Sequence, residues 1–376
     1  MSHLIIAMHE LPLESTGGGV LLRELLRYYS KIRRTIAIFP VYPHQMDKVR
    51  VVCEELTAEG VESLPLPVTR DWGRWSFTLR RLILPLPGCV VAFQNPEAKS
   101  LIAALANSDL DARWLLVSPF AAAYLPNFVS PERVSLYYTN VDGDIIMSVH
   151  RGFWRKIEER LERRRVSDFV RKSVRLAGYL GAITQANAAA LTTVVGTRVN
   201  YIPPLMAPRF IDRSRLDRDV VLITTNYTYP HNRLSLEWFL REVWPLVGAG
   251  LHLEVTGLDD GFGTMARLLS EAHNSKYLGF LSKPDLEVAF ARCGVVVNPT
   301  ISGSGFQIKM LDALSRGLPL ATTTKANPLV GAVESSDDPR VLAKMIESKA
   351  RGLGGATFDY AKFYSQACSD WDDFII

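Results

Sequence analysis

Residues 293–324 read CGVVVNPTISGSGFQIKMLDALSRGLPLATTT. The run Val295–Val297 is oily on both faces and is ended sharply by Asn298-Pro299, the pattern of a strand buried in a parallel sheet. A glycine loop follows. Gly303, Ser304 and Gly305 free the backbone of bulk where a helix begins, so unpaired amides and the positive helix end can face an anion, read here as a phosphate. In the helix, Lys309 and Asp312 sit three apart and share a face, while Met310, Leu311 and Leu314 form the buried side. Gly317 stops the helix, and Leu318–Thr323 reads as the next short strand. The stretch is therefore a strand, anion loop, helix, strand unit with its ligand edge at the carboxyl end of the first strand.

Working outward, 376 residues exceed the usual size of one domain, so two are expected. The hydrophobic content of 48% and charged content of 22% are those of an ordinary soluble globular protein. A net charge of +4 is too small to argue for nucleic acid, and no nucleic-acid partner is expected. The four cysteines, Cys53, Cys89, Cys293 and Cys368, include no CxxC pair, which fits neither a zinc site nor a disulfide framework and suits a reducing cytoplasm. The amino-terminal MSHLIIAMHE is too short an apolar run for a signal peptide, so secretion is not expected. Leu176–Thr197 has spanning length but carries polar residues and three glycines, so it reads as a strand plus an amphipathic helix rather than a transmembrane segment.

Taken in order, Leu4–Met8 is a compact apolar strand, and Gly17, Gly18 and Gly19 precede a helical pattern with Val20, Leu21, Leu22, Leu25 and Leu26 inside. Strands are expected at Thr35–Phe39, Val90–Phe93, Trp114–Val117 and Ser135–Thr139, with a helix over Met46–Glu59, the order of an α/β domain. Between Thr69 and Leu84, Trp72 and Trp75 alternate with Arg70, Arg74, Arg80 and Arg81, a stretch suited to contact an acceptor or a membrane surface. Residues 151–175 are helical in pattern and basic, with ten Lys or Arg against four carboxylates. A solvated helix laced by ion pairs is one reading, and an anionic membrane surface or a phosphate-bearing acceptor is the other. Prolines and charges then interrupt both periodicities, so residues 204–219 read as a linker between a first domain at 1–203 and a second at 220–355. The second domain offers strands at Val220–Thr224, Leu251–Thr256 and Tyr277–Phe280, and helices at Leu234–Val247, Met265–Ala272 and Pro339–Lys349. Residues 356–376 form a final amphipathic helix.

The segments NYTYPHNRLSLEWFLREVWPLV, LEVTG, YLGFL and VVVNPTISGSGFQIKMLDALSRGLPLATT resemble the carboxyl domain of glycosyltransferase family 4 and its near relatives. The glycine loop at Gly17–Gly19 and the segment YYTNVDGD resemble that family's first domain more weakly. The resemblance implies a GT-B fold: two Rossmann-like domains facing across a cleft, with the C-terminal helix crossing back to the first. It implies a nucleotide-sugar-dependent glycosyltransferase of UDP or GDP type acting on an unknown acceptor with retention of configuration. No DxD-type acidic pair stands at a strand end, and Asp259-Asp260 and Asp337-Asp338 read as solvated loop residues, so no metal or other cofactor is expected. Carried onto this chain, the amides of Gly305 and Phe306 meet the diphosphate and Lys309 neutralises it. Ser302, Gly303, Ser304 and Gln307 complete the donor loop, Asp312 stands where a glutamate binds ribose, and Leu281 stands where backbone groups meet the base. Gly17, Gly18 and Gly19 let sugar and phosphate approach the first domain, Asp142 lies near a sugar-contacting position, and Arg233 near a phosphate-binding one.

Two positions depart from that pattern. Ser304 stands where the first of two acidic residues is often found, and Arg233 is the one cation in NYTYPHNRL where many relatives have two. A serine hydroxyl can hydrogen-bond a sugar but cannot offset positive charge on it. Each site residue also has a plainer reading. Lys309 can be a surface lysine, Asp312 can pair with Arg316 four residues on, and Asp142 can be a turn residue beside Gly143. His9, His150 and His231 share no ligand spacing and read as structural. A catalytically silent GT-B subunit or sugar-binding partner is therefore the alternative to an enzyme. A nucleotide-sugar epimerase is disfavoured, because the sequence offers no cluster of acids and histidines. A cytoplasmic protein is expected, with possible peripheral contact at the inner membrane face through residues 151–175.

Overall fold

The computed structural model describes residues 3–13, 16–42, 45–68, 86–93, 95–139, 153–209, 211–303, 306–353 and 358–375. The chain divides into two units, Met1–Leu205 with Gln366–Ile376, and Met206–Ser365.

In the first unit the described elements are β1 (Leu4–Met8), α1 (Gly17–Ser30), β2 (Thr35–Val41), α2 (Met46–Ala58), β3 (Val61–Pro67), α3 (Gly88–Ala92), α4 (Pro96–Ser108), β4 (Arg113–Val117), β5 (Val134–Tyr138), α5 (Phe153–Val174), β6 (Tyr179–Ala182), α6 (Gln185–Val195) and β7 (Asn200–Tyr201). Their strands form a parallel sheet in the order β3-β2-β1-β4-β5-β6-β7. Every residue of β1, β2 and β5 is buried, as expected of parallel strands covered on both faces. Pro65 and Pro67 obscured β3 in the sequence, and the sheet tolerates them because β3 is an edge strand that pairs only with β2.

The strand expected at Val90–Phe93 is instead the short helix α3: the amides of Val90 and Val91 both donate to the carbonyl of Pro87, each at 3.0 Å, closing a helical turn. So brief an apolar run has no period to separate strand from helix. Helix α4 is set by Asn95, whose side chain accepts from the amides of Glu97 and Ala98, with Pro96 in the first turn. The stretch 69–85, with Trp72 and Trp75, lies outside the described residues.

The second unit runs β8 (Asp217–Thr224), α7 (Pro230–Trp238), β9 (His252–Thr256), α8 (Thr264–Glu271), β10 (Ser275–Tyr277), α9 (Lys283–Arg292), β11 (Cys293–Asn298), α10 (Ile308–Leu314), β12 (Leu320–Thr322) and α11 (Pro339–Ala350). Its strands are parallel in the order β10-β9-β8-β11-β12. Helix α7 continues through a wider turn at Phe239–Val243 and a tight one at Trp244–Leu246. A core of Val221, Ile223, Leu253, Val255, Val295 and Val297 from the sheet packs against Phe239, Trp244, Leu342 and Ile346 from the helices. Helix α12 (Tyr360–Phe374) begins in the second unit and ends in the first. Its Tyr360 hydroxyl donates to the Met206 carbonyl at 2.7 Å. Further along, the Trp371 indole donates to the Pro203 carbonyl at 2.7 Å, and Tyr29 Oη donates to the Trp371 carbonyl at 2.9 Å.

In each sheet the strand order reverses beside the first strand, between β1 and β4 and between β8 and β11. At such a reversal the loops after the two strands run to opposite sides and leave a crevice, the usual ligand position in open α/β sheets.

Candidate functional site

In the second unit the crevice is framed by the loop from β8 into α7 and the loop from β11 into α10. Asn226 shapes the first: its Oδ1 accepts from the Thr228 amide at 3.1 Å and the Thr228 hydroxyl at 2.6 Å, a local turn that delivers the chain into Pro230. Side chains of α7 then tie the two loops together. Asn232 Nδ2 donates to the Asn226 carbonyl at 2.9 Å, and its Oδ1 accepts from Lys309 Nζ on α10 at 3.4 Å. Ser235 Oγ donates to the His231 carbonyl at 2.6 Å and accepts from the Ile301 amide at 3.2 Å. On its other side the β11 loop is held to β12, since the Asn298 carbonyl accepts from Thr322 Oγ1 at 3.2 Å and from the Thr323 amide at 3.3 Å.

Lys309 is the electrostatic centre of this crevice. Although the residue keeps some solvent contact, burial of its ammonium pushes the pKa down to about 8. Its partner is a neutral amide oxygen, and among the described residues no carboxylate pairs with it. His231 adds a second cation-capable group. Its pKa is held below the ordinary imidazole value by burial and then by the charge on Lys309. Nearby in sequence, Ser302 Oγ is buried with no hydrogen-bond partner among the described residues. A fold does not readily keep an ammonium with only an amide oxygen for its charge beside a buried, unpartnered hydroxyl, so this arrangement suits an incoming anion rich in acceptor oxygens.

The structure brings Lys309, Ser302 and Gly303 to this crevice, and Gly303 adopts φ +107°, a backbone region that favours glycine. Phe306 is buried, and Gln307 precedes α10 without capping it. Ser304, Gly305 and Asp142 lie outside the described residues. Leu281 is half-buried between β10 and α9. Arg233 lies over Tyr227: its guanidinium carbon is 5.3 Å from the ring centroid, and its buried Nε has no partner among the described residues. Asp312 takes the pairing its spacing allowed. Its Oδ1 accepts from Arg316 Nη1 at 2.6 Å and from Arg209 Nη1 at 3.2 Å. Arg316 is itself buried, forks onto Glu287 and lies over the Phe290 ring at 4.4 Å. His231, Asn232 and Ser235 were not singled out as site residues in the sequence. The signal available was their place at the first turn after a strand, which acquires meaning only once β8 is known to neighbour β11.

In the first unit, Gly17 and Gly18 are exposed in the first turn of α1, which Thr16 caps by accepting from the Gly19 amide at 3.0 Å. Gly19 is buried, and a Cβ there would stand 1.7 Å from the Leu13 carbonyl oxygen, so close backbone packing requires glycine. His9 follows β1, with Nδ1 3.4 Å from the Val117 carbonyl of β4.

Residues 218–348 match the family described as Glycosyl transferases group 1. Among curated proteins, an uncharacterized 44.6 kDa protein in the cps region of Klebsiella pneumoniae is 22% identical over 164 residues, 40% of this chain and 42% of that protein. The chain thus matches less than half the length of that relative. Among solved structures, Anabaena Alr3699/HepE in complex with UDP and glucose superposes with TM-score 0.60 at 15% identity, covering 99% of this chain and 100% of that one. TarM superposes with TM-score 0.63 at 9% identity, covering 100% of this chain and 99% of that one. A glycosyltransferase from Rickettsia africae superposes with TM-score 0.54 at 11% identity, covering 100% and 94%. Residues 218–348 are therefore a glycosyl transferases group 1 domain, and the chain that carries it has the GT-B fold of two Rossmann-like units.

Proposed function

We propose that this chain transfers a sugar from a nucleotide-sugar donor to an acceptor, with retention of configuration and without a metal. The observation that carries the reading is Lys309, an ammonium held largely dry across the β8/β11 reversal with an amide oxygen for company and no carboxylate among the described residues. Glycosyl transfer builds negative charge on the departing diphosphate, and a preplaced cation stabilises that charge without reorganising. With a pKa of about 8, Lys309 remains mostly protonated at neutral pH and can serve in this way. Side chains supply the charge compensation in this reading. A uridine diphosphate donor is favoured because structures of HepE and of Staphylococcus aureus TarM, which share the fold, contain UDP.

Thermal-shift and calorimetric titration against UDP, GDP, ADP and their sugars, followed by turnover in EDTA, tests the reading. Lys309→Ala is expected to weaken donor binding roughly tenfold to 150-fold, the loss of one charge-assisted hydrogen bond of about 1.5 to 3 kcal/mol. Unchanged affinity would remove Lys309 from the site. Anomeric NMR of the product reads retention. Donor binding with no transfer to any acceptor would favour the silent binding subunit.

Placement in the cytoplasm with peripheral attachment to an anionic membrane is part of the same proposal. Arg160, Arg164, Arg171 and Lys172 are all exposed on α5, as is Arg175 just past its end, while Val166 and Val170 are buried, so the helix turns charge outward and its apolar side to the core. No described helix is long and apolar enough to cross a membrane. Flotation with phosphatidylserine-containing liposomes should show binding at low salt that is lost as salt rises. No binding at low salt would reject the attachment.

A further inference from the structure

The side chain of His231 is not explained by the packing of the crevice. The residue is open to solvent while its ring is partly enclosed, and Tyr229 stacks on it with ring centroids 5.7 Å apart and planes 27° apart. The other edge of the ring faces the donor loop, where its Cδ2 lies 3.8 Å from the position a Cβ would take on Gly303. The backbone is fixed as well, because the His231 carbonyl accepts from Ser235 Oγ and Ser235 in turn accepts from the Ile301 amide. Among the described residues neither ring nitrogen has a hydrogen-bond partner, so both are open to a ligand arriving from solvent.

We infer that His231 is a second ligand of the donor's diphosphate beside Lys309, one that takes a proton from solvent as the anion binds and returns it as the diphosphate leaves. The inference rests on the donor-binding reading above and extends it to a residue with a different charge state before and after binding. The charged group facing His231 from α10 is Lys309, whose charge acts on the ring. From the β11 loop, Ser302 and Gly303 are uncharged. On α7 itself the Arg233 guanidinium is turned onto Tyr227. Burial and then Lys309 hold the empty-site imidazole below its ordinary pKa of 6.5, so it is neutral at pH 7. Two phosphate charges arriving between His231 and Lys309 reverse the balance and raise both pKa values. Between the free and bound values, binding takes up a proton, so affinity falls as pH rises through that window, by at most about tenfold per pH unit.

Calorimetric titration with uridine diphosphoglucose from about pH 5.5 to about pH 7.5 tests this. That donor's diphosphate is esterified at both ends and does not itself titrate in the range. Wild-type affinity is expected to fall severalfold as pH rises, His231→Gln to bind weakly with a flat profile, and His231→Arg to bind as tightly as the low-pH wild type at every pH. A His231→Gln profile parallel to wild type would overturn the inference and leave the donor reading standing. Failure of the wild type to bind at any pH would overturn the uridine-donor reading and this inference with it.

Discussion

Lys309 shows how far one residue can be read from each side. Its type and spacing after a glycine loop were visible in the sequence, so a cation sharing a helix face with Asp312, opposite the apolar side of a short helix, could be expected. That among the described residues no carboxylate pairs with it, and that Asn232 meets it from the first turn of α7, depends on β8 lying beside β11, which no local pattern encodes. His231 was passed over for the same reason, because an isolated histidine gains meaning only from its neighbours in space. The dry setting of Lys309 also has a consequence for folding. Its folded pKa of about 8 lies below the 10.5 of the unfolded chain, so between those values the unfolded state binds more protons and stability rises with pH. Lys309→Met should remove that rise. Urea midpoints for wild type and variant, compared from about pH 8 to about pH 10.5, read the difference, and parallel curves would mean that the ammonium is not buried in solution.

At the level of elements, helix α10 is too short to be stable through its own hydrogen bonds, and its position is fixed from outside. Arg316, just beyond its end, reaches back to the Asp312 carboxylate and carbonyl, forks onto Glu287 of α9 and lies on Phe290. Asp312 therefore helps clamp the helix that presents Lys309, with Arg209 as its second cation. Arg316→Ala should destabilise the second unit by about 3 kcal/mol, near the lower end for losing one partner of a buried ion pair, because Glu287 remains partly solvated. Chemical denaturation checks it, and a cost below about 0.5 kcal/mol would show the network to be ornamental. The i,i+4 spacing of Asp312 and Arg316 was plain in the sequence. The contribution of Glu287 was not, because it comes from α9, which precedes β11 and is 29 residues from Arg316 in the chain. Long periodic segments such as α1 and α11 could be placed from sequence, whereas α3 and β3 were misread or missed. In α3 the apolar run was too short to show a period, and in β3 two prolines disguised an edge strand.

At the level of the whole molecule, the two parallel sheets with order reversal were legible because buried runs alternate with amphipathic helices along most of the chain. The final residues were harder to place from their own pattern, since nothing in YAKFYSQACSDWDDFII states which core receives it, and only the family resemblance implied a return to the first domain. The structure gives the answer through Trp371, which is fully buried, lies 4.7 Å from the Tyr137 ring and 5.7 Å from the Phe374 ring, and donates to the Pro203 carbonyl. Phe374 extends the same contact, with its carbonyl accepting from Ser135 Oγ of β5 at 2.6 Å and its ring filling the space left by Gly181 of β6. The last turns of α12 are thus part of the first unit's core although the preceding 160 residues belong to the second. Trp371→Ala should lower the stability of the first unit by about 3 to 5 kcal/mol, the usual cost of deleting a buried indole, and should speed amide exchange in β5 and β6. Affinity for UDP, which this reading places on Lys309 and His231 of the second unit, should stay within about twofold, because sites without shared partners act independently. Exchange mass spectrometry and calorimetry on the same sample separate the two effects. A loss of nucleotide affinity matching the loss of stability would mean that the two units do not act independently and that α12 serves the site as well as the fold.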